Sequence, residues 1–154
     1  MAGHPVVLYD YAPSRAGSVA ENLLLGFSGY LQTDDYAGYH AVGRKHDISH
    51  VGCWAQARRK FIDAQKPAKD KKTARIGKAD VVINYIAKLY ALEKQVKDTS
   101  SEARHQLRQE KSIPILRALR EWLDKTLHST LPKGLLDTAL GYLNKNWQKI
   151  ICYT

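Results

Sequence analysis

From Trp54 to the C-terminus, apolar residues recur three or four positions apart, a spacing that packed helices satisfy and strands do not. Trp54, Ala57, Phe61 and Ala64 share one helical face, which leaves Arg58, Arg59 and Lys60 largely outside it. Val82, Ile86, Leu89 and Val96 line a long helix from about Ala79 to Lys97. Ser101 is placed to cap the next helix, which Pro114 restarts or kinks, with Leu116, Leu119, Leu123 and Leu127 as its stripe. Pro132 and Gly134 interrupt the pattern before a last helix carrying Leu136, Leu140, Leu143, Trp147 and Ile150. These stripes are core contacts rather than a cofactor box, and the chain contains no internal repeat.

The first third has a different grammar. Pro5-Val6-Val7-Leu8-Tyr9 reads as a short buried strand ended by the turn Asp10-Tyr11-Ala12-Pro13-Ser14. Ser18-Val19-Ala20-Glu21 matches a capping box, and the helix it opens runs through Leu23, Leu24 and Leu25 to a stop at Gly26. Tyr30–Thr33 reads as a second strand and His46–Cys53 as a third. Strand, short helix, strand implies a right-handed crossover and a parallel pair. The organisation predicted is an α/β segment over 1–64, a polar, lysine-rich and mobile connection over 65–78, and a helical region over 79–154.

Charge narrows the partners. The formal net charge is +9, and residues 41–80 concentrate it, with eleven Lys and Arg against four Asp and Glu. Such an excess points to a polyanion, because each phosphate contact releases condensed counterions. Arg58-Arg59-Lys60, beside Trp54 and Phe61, is the candidate DNA contact, adding phosphate affinity without reading sequence. Its plain alternative is a solvated helix face. No run approaches the roughly 18 apolar residues of a membrane span. Two cysteines, Cys53 and Cys152, suggest no disulfide framework, so a reduced, cytoplasmic setting is expected.

The chemistry-bearing feature is LQTDDYAGY (31–39), which sets Asp34 and Asp35 at the end of the second strand. Groups just past the carboxyl ends of parallel strands are placed for function. A carboxylate there can bind Mg²⁺, although two-metal sites need several carboxylates converging from different elements. An Asp-Asp pair is also an ordinary solvated turn or helix cap, and adjacent residues at a strand end diverge, so one of the two should face away. His46, His50 and Cys53 lack the fourth ligand of a structural zinc site, and nothing identifies a base that would make Cys53 a nucleophile. There is no P-loop and no glycine-rich dinucleotide fingerprint.

Three segments in order, YDYAPSR (9–15), GFSGYLQTDDYAGY (26–39) and HVGCWAQARRKF (50–61), resemble the transposases of the insertion sequence 66 family. The similarity continues more weakly through the leucine-rich helices. It implies a ribonuclease-H-like domain with a helical insertion, an Asp-Asp-Glu triad and two Mg²⁺ ions. It also implies nicking at transposon ends and strand transfer into target DNA by a 3′-hydroxyl. Asp34 aligns with the second triad carboxylate and is the implied metal ligand. The next position is commonly glycine in the family, so the resemblance makes Asp35 a local substitution, and Gln56 stands where histidine is usual.

Against that pattern, Asp10 lies too close to Asp34 to be the first triad acid, and Glu93, Glu102, Glu110 and Glu121 match no family motif. The expectation is therefore an incomplete ribonuclease-H-like sheet of about three strands followed by helices. Such a chain is a central fragment of a transposase, inactive alone and able to self-associate through uncovered edges. The rival expectation is a non-enzymatic basic DNA-binding or interaction module, or a decayed gene product.

Overall fold

The computed structural model describes residues 6–69 and 76–154, apart from the side chains of 66–69. The elements in order are α1 (Gly17–Leu23), β1 (Gly29–Thr33), 3₁₀ turns at Ala37–Tyr39 and Val42–Arg44, β2 (Ile48–Gly52) and α2 (Trp54–Lys69). They continue as α3 (Lys78–Gln95), α4 (Ser101–Leu107), a π turn (Arg108–Ser112), α5 (Ile113–Leu127), α6 (Leu135–Lys145) and α7 (Trp147–Ile151).

β1 and β2 run parallel, in register from Gly29 opposite Ile48 to Thr33 opposite Gly52. Their connection carries the two 3₁₀ turns rather than an α-helix. Val42 from the second turn is fully buried and joins Ala20 of α1 and Ile48 of β2 in a small cluster, with Leu24, Leu31 and Tyr39 packed against it. The α1–β1 link turns on Gly26, whose φ of +77° lies in the left-handed region that glycine enters without steric cost.

The sequence predicts three strands, and two form among the described residues. Pro5 lies outside the described residues. Val6–Tyr9 take no strand conformation, and their side chains are 69% to 95% exposed. An apolar run has the composition of a strand, but it becomes one only when a neighbour pairs its backbone. The parallel pair is consequently β1 with β2, not Val6–Tyr9 with β1.

The helices bury the predicted stripes. Trp54, Ala57 and Phe61 of α2 meet Val82, Ile86 and Leu89 of α3, Leu116, Leu119 and Leu123 of α5, and Leu140 and Leu143 of α6 in one core. Phe61, Ile86, Leu119, Leu123, Leu140 and Leu143 are all fully buried, each contributing about 1.5–3 kcal/mol of transfer free energy. α2 packs on both α3 and α6, and α7 packs on β2. The same core therefore anchors the sheet.

Local signals differ from the sequence reading in four places. Helix α1 starts at Gly17 with Ala16 as its N-cap, so Ser18 lies inside the first turn and makes no capping bond. Ser100, not Ser101, caps α4, its Oγ accepting from the Ala103 N–H at 3.2 Å. α2 continues to Lys69, into the segment expected to be a linker, and residues 70–75 of that segment lie outside the described residues. The last helix breaks at Asn146, which leaves helical geometry and sits buried between α6 and α7. Pro114 follows the π turn, at the point where regular α-helix restarts as α5.

Candidate functional site

The site is built on the carboxyl end of β1. Thr33 is buried there, and its hydroxyl meets Nε2 of His50, across the ladder on β2, at 2.7 Å. The same Oγ1 accepts from the Asp35 N–H at 3.2 Å, so the strand end turns sharply. Asp34 Oδ1 accepts from the Tyr36 N–H at 3.1 Å, a turn closed by the aspartate's own side chain. Tyr36 is held in turn: its hydroxyl donates to the Arg15 carbonyl at 2.7 Å, and the Arg15 guanidinium lies 5.1 Å from its ring centroid. Asp34 remains exposed and borders a cleft of about 550 Å³ between α1 and β1, floored by Leu24 and Leu31.

Asp35 is placed in the opposite way. Its φ is +67°, and its side chain is 8% exposed. Oδ1 meets Nε2 of His40 at 3.1 Å and accepts from Lys149 Nζ at 2.9 Å. Oδ2 accepts from Asn146 Nδ2 at 2.9 Å, with Lys145 Nζ at 3.4 Å. Burial by itself would raise this carboxyl. The hydrogen bonds from Lys149 and Asn146, the Lys149 charge and the His40 contact outweigh it and hold the group well below the usual carboxylate range. Asp35 is thus more than the local substitution that the resemblance implies: left-handed backbone turns its side chain inward, onto helices more than a hundred positions away in sequence.

Cations surround this loop. Lys60 of α2 lies 4.7 Å from the ring centroid of Tyr142, and the Tyr142 hydroxyl donates to the Asp34 carbonyl at 3.4 Å. Burial first, then the nearby Asp35 carboxylate, raises the Tyr142 phenol to about 12, so it stays a donor. Burial and the Lys149 charge push the His50 imidazole down, with Asp35 opposing, which favours a neutral ring against Thr33. Of the predicted basic triplet, Arg59 is exposed while Arg58 and Lys60 are half-buried. Lys60 caps the Tyr142 ring, while Arg59 faces solvent.

The set tests poorly as a two-metal centre. Asp34 gives one carboxylate with an oxygen already accepting from Tyr36, and both oxygens of Asp35 are taken by cations and an amide. Among the described residues, no three His, Cys, Asp or Glu side chains come together as ligands. Glu93 is bound by two nitrogens of Arg108, at 2.9 and 2.7 Å. His46 is exposed, His50 is engaged with Thr33, and Cys53 is half-buried. Sequence reasoning missed Lys145, Asn146 and Lys149, because the apolar stripe runs from Leu143 to Trp147 and Ile150 straight across the break at Asn146.

The fold and site define an α/β protein with an open carboxylate past a parallel strand and a basic helix beside it. The chain belongs to the family described as Transposase IS66 family, whose model matches residues 1–154. It is 30% identical over 149 residues to "Uncharacterized protein y4jD" of Sinorhizobium fredii (strain NBRC 101917 / NGR234), a match covering 93% of this chain and 28% of that protein. "Uncharacterized protein y4qI" of the same strain is 32% identical over 145 residues, covering 90% of this chain and 26% of that protein. The chain therefore spans well under a third of the length of these curated relatives. No solved structure matches it. No helix among the described residues is long and apolar enough to cross a membrane.

Proposed function

We propose that this chain is part of a Mg²⁺-dependent DNA transposase with a ribonuclease-H-like catalytic sheet, to which it contributes the second triad aspartate, Asp34, and a basic DNA-facing surface. The family match across the whole chain carries this reading. The exposure of Asp34 past β1, joined through Tyr142 to the cationic Lys60, supports it. Metal and phosphate have to meet at such a site, which explains an acid set in a basic protein. The described residues do not fit a two-metal centre by themselves, so this reading has the chain inactive when alone. Carboxylates from beyond it are needed before Mg²⁺ can be held. Its own contribution to the reaction is positional: it presents one carboxylate and binds the backbone of transposon-end or target DNA through Arg58, Arg59 and Lys60.

A second reading is favoured by one observation, the commitment of Asp35 to cations, which leaves Asp34 without a neighbouring ligand. In that reading the chain is a basic DNA-binding module with no catalytic part. One experiment separates them. The chain is titrated with transposon-end and unrelated duplex DNA at several salt concentrations, alone and with the remaining segments of a full-length family protein. Both readings require weak, salt-sensitive and sequence-tolerant binding, with a log–log salt slope that falls by about 2–3 in the Arg58/Arg59/Lys60→Ala variant. The transposase reading further requires Mg²⁺-dependent nicking in the reconstituted protein, abolished by Asp34→Asn. Nicking by the chain alone that depends on Asp34 would overturn the assignment of an inactive part, and salt-independent binding would overturn both.

A further inference from the structure

The position after Asp34 asks for glycine on backbone grounds: φ of +67° is left-handed, a region other L-residues seldom enter, with aspartate among the more tolerant. A glycine would make the turn freely. The carboxylate here must therefore be accounted for by what it touches. His40 approaches from the turn following β1, Lys145 from α6, Asn146 from the α6–α7 break and Lys149 from α7. Three of these four partners stand on the helices furthest from it in sequence. Tyr142, on α6, adds a contact to the Asp34 carbonyl at 3.4 Å. Asp34 itself has no comparable hold, since its carboxylate meets only the Tyr36 N–H two residues on.

The geometry points to Asp35 as a positioning residue, which fixes the Asp34 turn against the α6–α7 junction rather than serving as a second metal-binding carboxylate. The proposal rests on the reading of Asp34 as the functional acid. Recruiting Asp35 to a metal would strip Lys149 and Asn146 of a partner in a nearly enclosed setting, a change that costs more than an exposed pair would. Leaving it on the helices instead makes the β1 end rigid on one side while the Asp34 side chain stays open to solvent. The break at Asn146 belongs to the same device. The Asn146 amide donates both to the Tyr142 carbonyl at 3.1 Å and to Asp35, so the residue that interrupts the helix is one that holds the loop.

The test is ¹⁵N relaxation on the full chain, compared with Asp35→Gly, Asp35→Asn and Lys149→Met. Asp35→Gly keeps the backbone turn and removes the carboxylate, while Lys149→Met removes a partner and leaves the turn's sequence untouched. In both, the Asp34 and Tyr36 amide order parameters are expected to fall from about 0.85, typical of rigid backbone, to below about 0.6. The Leu119 amide in α5 should not change. Asp35→Asn retains an acceptor at the same reach and is expected to restore values nearer to the native ones. Unchanged order parameters in Asp35→Gly or Lys149→Met would overturn the proposal. So would an equal fall at Leu119, or an Asp35→Asn chain as loose as Asp35→Gly. DNA affinity is read separately: its absence would sink the functional reading and leave this result standing, and the reverse holds equally.

Discussion

Replacing Gly52 by alanine probes the contact on which the site's architecture depends. Gly52 ends β2, and a Cβ built there would lie 2.7 Å from Ile150 Cγ1, 3.1 Å from the Ile150 nitrogen and 3.3 Å from its Cα. Carbon atoms rest comfortably at about 3.5–4.0 Å, so all three contacts are too close. The side-chain atom has little room to turn, because Ile150 is fully buried. The other two atoms are backbone, and the Ile150 N–H is already committed to the Asn146 carbonyl at 2.9 Å. Relief requires α7 to retreat from β2, and α7 carries Lys149, one of the groups holding Asp35. Overpacking of this kind costs about 1–3 kcal/mol. At this chain length that corresponds to a fall in Tm of about 3–9 °C. Urea and thermal unfolding followed by circular dichroism would measure it. Ile150→Ala alone should cost about 2–5 kcal/mol, and it removes the Cγ1 that clashes. The double variant is therefore expected to be more stable than the sum of the singles by about 1 kcal/mol. A Gly52→Ala chain within about 0.5 kcal/mol of the parent, or strict additivity in the double variant, would refute the close approach of α7 to β2.

Three further outcomes are expected. The Asp35 carboxyl is held low by Lys149, Asn146 and His40 against the effect of burial, so the stability it contributes is fully present above about pH 4 and drains away as pH falls below that; urea midpoints at pH 7, 4 and 3 should decline less steeply in Asp35→Asn, and parallel declines would contradict the assignment. Among the basic residues of α2, Arg59→Ala should lower the salt slope of DNA binding by about 1, whereas Lys60→Ala should lower it less because Lys60 already rests on Tyr142; equal slopes in the two variants would count against that division. Ser100→Ala removes the only side-chain N-cap bond of α4 and should cost about 1 kcal/mol, while Ser101→Ala should be close to neutral, as equilibrium unfolding of the pair would show.

How far the sequence reveals this structure depends on the range over which each element is decided. The apolar faces of α2, α3 and α5 are local patterns, and Phe61, Ile86 and Leu119 lie buried where their spacing puts them. β1 and β2 also fall within about two residues of their expected limits, since both are short runs bounded by turn residues. Val6–Tyr9 shows the opposite case: the same kind of run leaves its side chains in solvent because pairing is a property of two segments, not one. The Ser100 cap was missed by a single position, which is the ordinary uncertainty where two serines adjoin and either could close the turn.

The acidic pair shows where local reading stops being enough. Adjacent side chains at a strand end must diverge, and that much follows from the pleat alone. Which of the two turns inward does not. The choice is made by one backbone angle, φ of +67° at Asp35, and by a set of partners drawn from Lys145 to Lys149. A sequence pattern with glycine at this position marks the angle but says nothing about a carboxylate placed on it. Once the angle is known, the two acids separate by chemistry. Asp35, enclosed and paired with cations, has its charge neutralised within the fold, so only Asp34 can offer a negative charge to a metal or repel an approaching phosphate. That division makes Asp34→Asn and Asp35→Gly different experiments on neighbouring identical residues. The first should alter what the loop can bind and leave the fold intact, and the second should alter how firmly the loop is held.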